Sequence, residues 1–365
     1  MTGRIVGFGS AFPPALDQQD AWDGYFADHY SNSRMARLVW RSAGVEQRHS
    51  AVDPRHDDLS HASTAVRMQR FAELAVPLGC EAVTASLEAA GIQAAEVDLF
   101  TVVSCTGYAT PGVDQLVARK LGMNRSLQRL HVGHMGCYAA LPGLAVVADA
   151  AAARDKIGVL LCVELTSLHV QPPTDDPEQI VAHALFSDAA AAITVVPGGT
   201  GSQVGSQVGS QVGSQVGSQV GLEVVDVVAR TDADTADLMT WQITDLGFRM
   251  RLSSKVPKVL QRHVVGATEE LLHRHDLTIA DVAHWAVHPG GPRIVDTVAQ
   301  RLGLPAEAMI ASRDVLRRHG NCSSATTLLV LQQMVDDGRL QRGDHVVAMA
   351  FGPGLTLYAV LLRVC

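Results

Sequence analysis

Two segments that are apolar at almost every position, KIGVLLCVELTS and AAAAITVV, constrain this chain more than any other feature, because strands with no polar side must be covered on both faces. Around them, stretches with helical periodicity alternate with further apolar runs. Residues 72–91 (AELAVPLGCEAVTASLEAAG) predict a helix closed by Gly91, DLFTVVSCTG a buried strand, and TPGVDQLVARKLG the next helix. The style recurs later in the chain. RHVVGATEELLHRH reads as helix, VAHWAVH as strand, RIVDTVAQRLG as helix, and DHVVAMAFG and LTLYAVLLRV as closing strands. Alternation of this kind demands a layered α/β core. Between the two series lies GSQVGSQVGSQVGSQVGSQV, five copies of a four-residue unit from Gly201 to Val220, too short and too rich in Gly and Ser to bury a core of its own. The expected organisation is an N-terminal half over 1–200, a surface linker over 201–221 and a C-terminal half over 222–365.

With 365 residues, 47% of them hydrophobic and 18% charged, the chain can bury a large core and exceeds one small domain. A net charge of -8 argues against nucleic acid as a partner, since phosphate binding needs concentrated Lys and Arg. The opening MTGRIVGFGSAFPPAL lacks the apolar core of a signal peptide, and no uninterrupted apolar stretch approaches the roughly 20 residues of a membrane span. Six dispersed cysteines without CxxC spacing suit free thiols in a reducing cytoplasm.

Three residues stand in contexts suited to acyl-thioester chemistry. Cys137, in HVGHMGCYAALPGLAVVADAAAA, falls between Gly136 and an alanine-rich helical stretch, so its sulfur is expected at a helix start. There the dipole, helped by a nearby imidazolium, would lower a thiol pKa of about 8.5 and favour the attacking thiolate. His288 ends VAHWAVH before the turn Pro289–Gly290–Gly291, at a strand end, where α/β proteins build their sites. Asn321, in RRHGNCSSATTLLVLQQM, carries an amide that donates without changing charge. A histidine and an asparagine aimed at one thioester oxygen stabilise an enolate and an oxyanion alike. Taken singly, each has a structural reading too: a small buried hydrophobe, a strand-end hydrogen-bonder and a helix cap.

HMGCYAALPGL, VHPGGPRIVD, HGNCSSATTLLVL and AFGPGLTLYAVLL resemble, in order and spacing, the motifs of type III polyketide synthases, the chalcone synthase family, and ALFSDAAAAITVV resembles that family's gatekeeper segment. The resemblance implies a thiolase fold, five layers αβαβα built from two similar halves. It also implies a triad of Cys137, His288 and Asn321, Phe186 gating the passage from a coenzyme A tunnel, and a GPG loop, Gly352 to Gly354, shaping the cavity. The implied reaction is decarboxylative condensation of an acyl-CoA starter with malonyl-CoA by a homodimer, with no metal and no organic cofactor.

Departures from the plant pattern bear on the substrate. Trp241 stands in place of a cavity-lining glycine, Met250 in place of a second gatekeeper phenylalanine, and His169 in place of a threonine; Cys105 and Thr110 replace pocket residues around CTGYATPG. A tryptophan there removes room for a bulky aromatic starter. The MTWQITDLGFRMRLS stretch looks more like bacterial members that make alkylpyrones or alkylresorcinols from fatty acyl-CoA. Arg34, Arg37 and Arg41 recur at helical spacing and are candidates for the coenzyme A phosphates. His131, His134 and Cys137 lack a fourth ligand at a familiar zinc spacing, so no metal is expected. Two alternatives share the motifs or the fold: a ketoacyl synthase III-like enzyme that condenses once onto a carrier protein, and a catalytically silent thiolase-fold binding protein.

Overall fold

The computed structural model describes residues 2–198 and 220–365. Of the expected linker over 201–221, all but Val220 and Gly221 lies outside the described residues. The chain opens with β1 (Gly3–Ala11) and β2 (Ala15–Asp17), then a small helical unit of α1 (Gln18–Ala21), a π-helical turn over Trp22–Phe26, α2 (Ala27–His29) and α3 (Arg34–Arg41). There follow β3 (Gln47–His49), α4 (Thr64–Ala90), β4 (Leu99–Ser104), α5 (Val113–Lys120), β5 (Gln128–Gly133), α6 (Ala140–Arg154), β6 (Gly158–Glu164), α7 (Pro177–Leu185) and β7 (Ala189–Pro197). After the repeat come β8 (Leu222–Thr231), β9 (Met239–Thr244), β10 (Gly247–Leu252), α8 (Val256–His273), β11 (His284–Val287), α9 (Pro292–Leu302), α10 (Ile310–His319), α11 (Ala325–Asp336), β12 (His345–Gly352) and β13 (Thr356–Val364).

The expected elements form where the periodicity placed them, with one informative displacement. Gly91 closes α4 at a left-handed φ of 65°, yet the helix starts at Thr64, well before residue 72, on a Ser63 side chain that accepts the Val66 N–H. Arg67 is what hides this first turn from a hydrophobic pattern. Its guanidinium is buried and donates to the carbonyls of Ser60, Ala62, Leu168 and Val170.

Strand order runs β11-β12-β13-β8-β1-β7-β6-β4-β5. Each half has the same plan: β1 pairs antiparallel with β7, β7 antiparallel with β6 and β6 parallel with β4, just as β8, β13, β12 and β11 follow one another. The halves meet where β1 and β8 share only the pairs Arg4↔Glu223 and Ile5↔Leu222. One core lies between α4 and the N-terminal strands, a second between the N-terminal and C-terminal strands around α6 and α11, and a third between the C-terminal strands and α8 with α9. Helix, sheet, helix, sheet, helix is the five-layered αβαβα arrangement. Its tight spacing depends on Gly7 and Gly9 of β1: a Cβ would come 2.2 Å from the Ser86 carbonyl oxygen at the first and 2.3 Å from that of Ala82 at the second.

Gly136–Arg154, interrupted by Asp149, is the nearest the described residues come to a membrane span. It is 19 residues long and apolar enough to cross a membrane by length and composition, but it is a core helix of the protein, 67% buried inside it.

Candidate active site

Cys137 sits where β5 turns into α6. Gly136 takes a φ of 72°, and a Cβ there would strike Pro353 at 2.6 Å, so only glycine lets the turn pass under the GPG loop. A 3₁₀ turn, Gly136–Tyr138, then carries the cysteine into the helix. Gly352 presses on the same turn from above: a Cβ on it would lie 2.6 Å from the Tyr138 ring and 3.3 Å from the Cys137 nitrogen. The loop expected to shape the cavity therefore seats the Cys137 backbone. The sulfur is buried, with the Ser323 hydroxyl 3.8 Å away. Burial pushes the thiol up to about 12, the buried Glu164 adds to the rise, and hydrogen bonds from Ser323, Asn321 and the cysteine's own N–H act against it. The expected lowering at a helix start is not met, because desolvation of the charged form outweighs the dipole.

His288 and Asn321 arrive on neighbouring scaffolding. His288 follows β11 and donates its backbone N–H to Met349 of β12, the strand that ends at Gly352. Its ring is backed by Gly290, and both ring nitrogens are buried with no partner among the described residues. Burial lowers its pKa to about 3, so the imidazole is held neutral. Asn321 is pinned by its backbone to the gatekeeper segment, its N–H donating to the Leu185 carbonyl at 2.9 Å and its carbonyl accepting from Ser187 N–H at 3.0 Å. Its side-chain oxygen accepts the Ser323 N–H at 2.9 Å, and this turns the amide NH₂ toward the sulfur. Burial thus holds both the Cys137 thiol and the His288 imidazole neutral, with the Asn321 amide fixed beside the sulfur.

Phe186, Trp241, Met250 and His169 line one cavity of about 50 Å³, together with Phe26, Arg48, His183 and Phe248. Trp241 and Met250 face each other across β9 and β10. The indole donates to the Cys105 carbonyl at 2.7 Å and meets His169 and Phe248 edge-on. His169 stacks on Phe248 at 4.5 Å, gives its Nε2–H to the Thr106 carbonyl and accepts the Phe248 N–H at Nδ1. Cys105 lies beneath, its sulfur 3.5 Å from the Ser323 hydroxyl. Thr110, by contrast, is on an exposed loop, and Gly352 and Gly354 do not line this cavity. Arg34, Arg37 and Arg41 all lie exposed on α3, and Arg37 and Arg41 border a separate surface pocket. Among the described residues no group of three metal-ligating side chains converges.

Sequence reasoning missed Ser323, Ser324 and Glu164. The only signals for them were the hydroxyl run CSSATT after Asn321 and a carboxylate ending an otherwise apolar strand.

Residues 2–199 match the family model described as chalcone and stilbene synthases, N-terminal domain, and residues 225–365 match its C-terminal counterpart. The chain is 31% identical over 364 residues to the alpha-pyrone synthesis polyketide synthase-like Pks18 of Mycobacterium tuberculosis, covering 96% of this chain and 88% of that relative. It is 33% identical over 334 residues to the 1,3,6,8-tetrahydroxynaphthalene synthase of Streptomyces peucetius, covering 90% and 83%. The crystal structure of PKS-I from the brown alga Ectocarpus siliculosus superposes with a TM-score of 0.89 at 27% identity, covering 100% of this chain and 98% of that one.

Proposed function

The chain belongs to the chalcone and stilbene synthase family of type III polyketide synthases, which are acyltransferases, and we propose that it primes on a fatty acyl-CoA and extends with malonyl-CoA to an alkylpyrone or alkylresorcinol. In this reading Cys137 gives its proton to His288 and takes the acyl group as a thioester, releasing CoA. Malonyl-CoA then loses CO₂, and the enolate is held by the Asn321 amide and by His288, now a donor. The enolate carbon attacks the Cys137 thioester carbonyl, the C–S bond breaks to free the Cys137 thiolate, and the lengthened chain, now a CoA thioester, is transferred back to the sulfur with release of CoA for the next round. Hydrogen-bond donors placed at such an oxyanion contribute roughly a hundredfold to a thousandfold in rate.

The observation that carries the choice of starter is Trp241, tied to the Cys105 carbonyl and wedged against His169 and Phe248. It fills the space a rigid aromatic starter needs, whereas a flexible chain can follow the apolar lining between Phe186, Met250, Ala182 and Phe26. The name of the mycobacterial relative, with its alpha-pyrone product, supports the same direction. The proposal includes a nucleophile-bearing half over 1–200 and a His/Asn-bearing half over 222–365, action as a homodimer, independence of any organic cofactor, and work in a reducing cytoplasm. Matched strand plans support the halves, the exposed edge strand β5 a second copy, and six free thiols the compartment. The test is incubation of the protein with labelled malonyl-CoA and acyl-CoA starters from acetyl to stearoyl, beside Cys137→Ala. Pyrones or resorcinols from long starters, absent in the variant, are expected; no CO₂ release and no product with any starter overturns the proposal, and a requirement for carrier protein points to single condensation instead.

A further inference from the structure

Glu164 ends β6 with its carboxyl fully buried, and every hydrogen bond it accepts comes from a neutral donor. One oxygen takes the Cys105 N–H at 3.0 Å, the Thr106 hydroxyl at 2.8 Å and the Ser104 hydroxyl at 3.4 Å; the other takes the Ser324 hydroxyl at 2.6 Å. The Cys105 thiol lies 3.5 Å from one oxygen and 3.6 Å from the other. These donors belong to two segments far apart in sequence, the end of β4 and the turn that opens α11. The second segment is strained: Ser323 holds a φ of 49°, unusual for a residue with a side chain. Its N–H fixes the Asn321 amide oxygen, and its hydroxyl lies between the sulfurs of Cys105 and Cys137. A buried carboxyl that forms no ion pair among the described residues is costly, so something must be gained by keeping it.

We propose that Glu164 is a positioning residue: its carboxyl clamps the Asn321–Ser324 turn to the end of β4, and this fixes the two side chains, Asn321 and Ser323, that hydrogen-bond the Cys137 sulfur. The inference rests on Cys137 as the nucleophile. Glu164 touches no reacting atom and acts only through the turn. With the clamp released, Ser323 relaxes from its left-handed backbone, the Asn321 amide loses its orienting N–H, and the sulfur loses the donors that favour its thiolate against burial.

Ser324→Ala and Glu164→Asp test this, the first deleting the bond on the α11 side and the second keeping the charge on a side chain too short to reach both segments. Iodoacetamide labelling of Cys137, followed on its own peptide by mass spectrometry from pH 7 to 10 without substrate, is expected to slow at least threefold at pH 8 in both variants. The kcat for malonyl-CoA decarboxylation is expected to fall at least tenfold with KM within twofold. Labelling and kcat within twofold of wild type overturn the proposal, and so does a lowered melting temperature with unchanged labelling, which is the mark of a merely structural carboxyl. Because labelling needs no substrate, a wild-type protein that makes no polyketide sinks the functional reading without deciding this one.

Discussion

Replacing Trp241 by glycine removes the indole that donates to the Cys105 carbonyl and leaves His169 and Phe248 without their edge-on neighbour. The variant is expected to accept an aromatic acyl-CoA at least tenfold better in kcat/KM, measured against a fatty acyl-CoA in competition. It should lose roughly 2–3 kcal/mol of stability, less than a fully buried aromatic costs because Trp241 is only partly buried. An unchanged preference would mean that the starter does not pass this side chain. Trp241, Met250, His169 and Phe186 were recognisable in sequence through their motif positions, and the fold gathers them around one space. Ser323 and Glu164 were not, because a serine in a hydroxyl-rich run has no pattern that says its backbone will turn left-handed beside a thiol. Only the crossing of β4, β6 and α11 brings those groups together.

Among the elements, the loop between β12 and β13 bears most directly on the chemistry. Gly352 touches the Cys137 backbone and the Tyr138 ring, while Pro353 covers Gly136. In Gly352→Ala the added methyl must displace the Gly136–Tyr138 turn, so kcat is expected to drop more than tenfold while the melting temperature falls only a few degrees, as read by thermal unfolding alongside product formation. Wild-type turnover would show that the turn yields without moving the sulfur. In sequence the GPG motif reads as a tight turn between two strands, which it is. Its place as a seat for the Cys137 backbone follows from β12 ending beside the start of α6, a contact between halves of the chain more than 200 residues apart.

For the whole molecule, burial of uncharged histidines sets the response to acid. His169, His183 and His288 are pushed to about 3 and His319 to about 4, all chiefly by burial. The unfolded chain binds protons at these rings below about pH 6.5, whereas the folded chain does not until far lower, so stability is lost as pH falls from about 6.5 toward 4. Glu164 and Asp188 act in the opposite sense, since burial raises both carboxyls and the folded state takes up their protons first. Burial lowers His29, His49 and His131 as well, so the histidines outnumber the raised carboxyls and unfolding takes up protons on balance. The melting temperature is therefore expected to fall between pH 7 and pH 5 in calorimetry, and a rise on acidification would contradict it.

By itself the amino-acid sequence determined which stretches become strands and helices, because periodicity and glycine stops are local properties, and it determined the class of chemistry, because the motifs around Cys137, His288 and Asn321 are contiguous. It also held the two-half plan, through apolar strands that only flanking layers can cover. The ionisation state of Cys137, the left-handed turn at Ser323, the Glu164 clamp and the plugged cavity were decided by tertiary structure alone. Each depends on desolvation or on contacts between segments distant in the chain, and neither is written in any local stretch of residues.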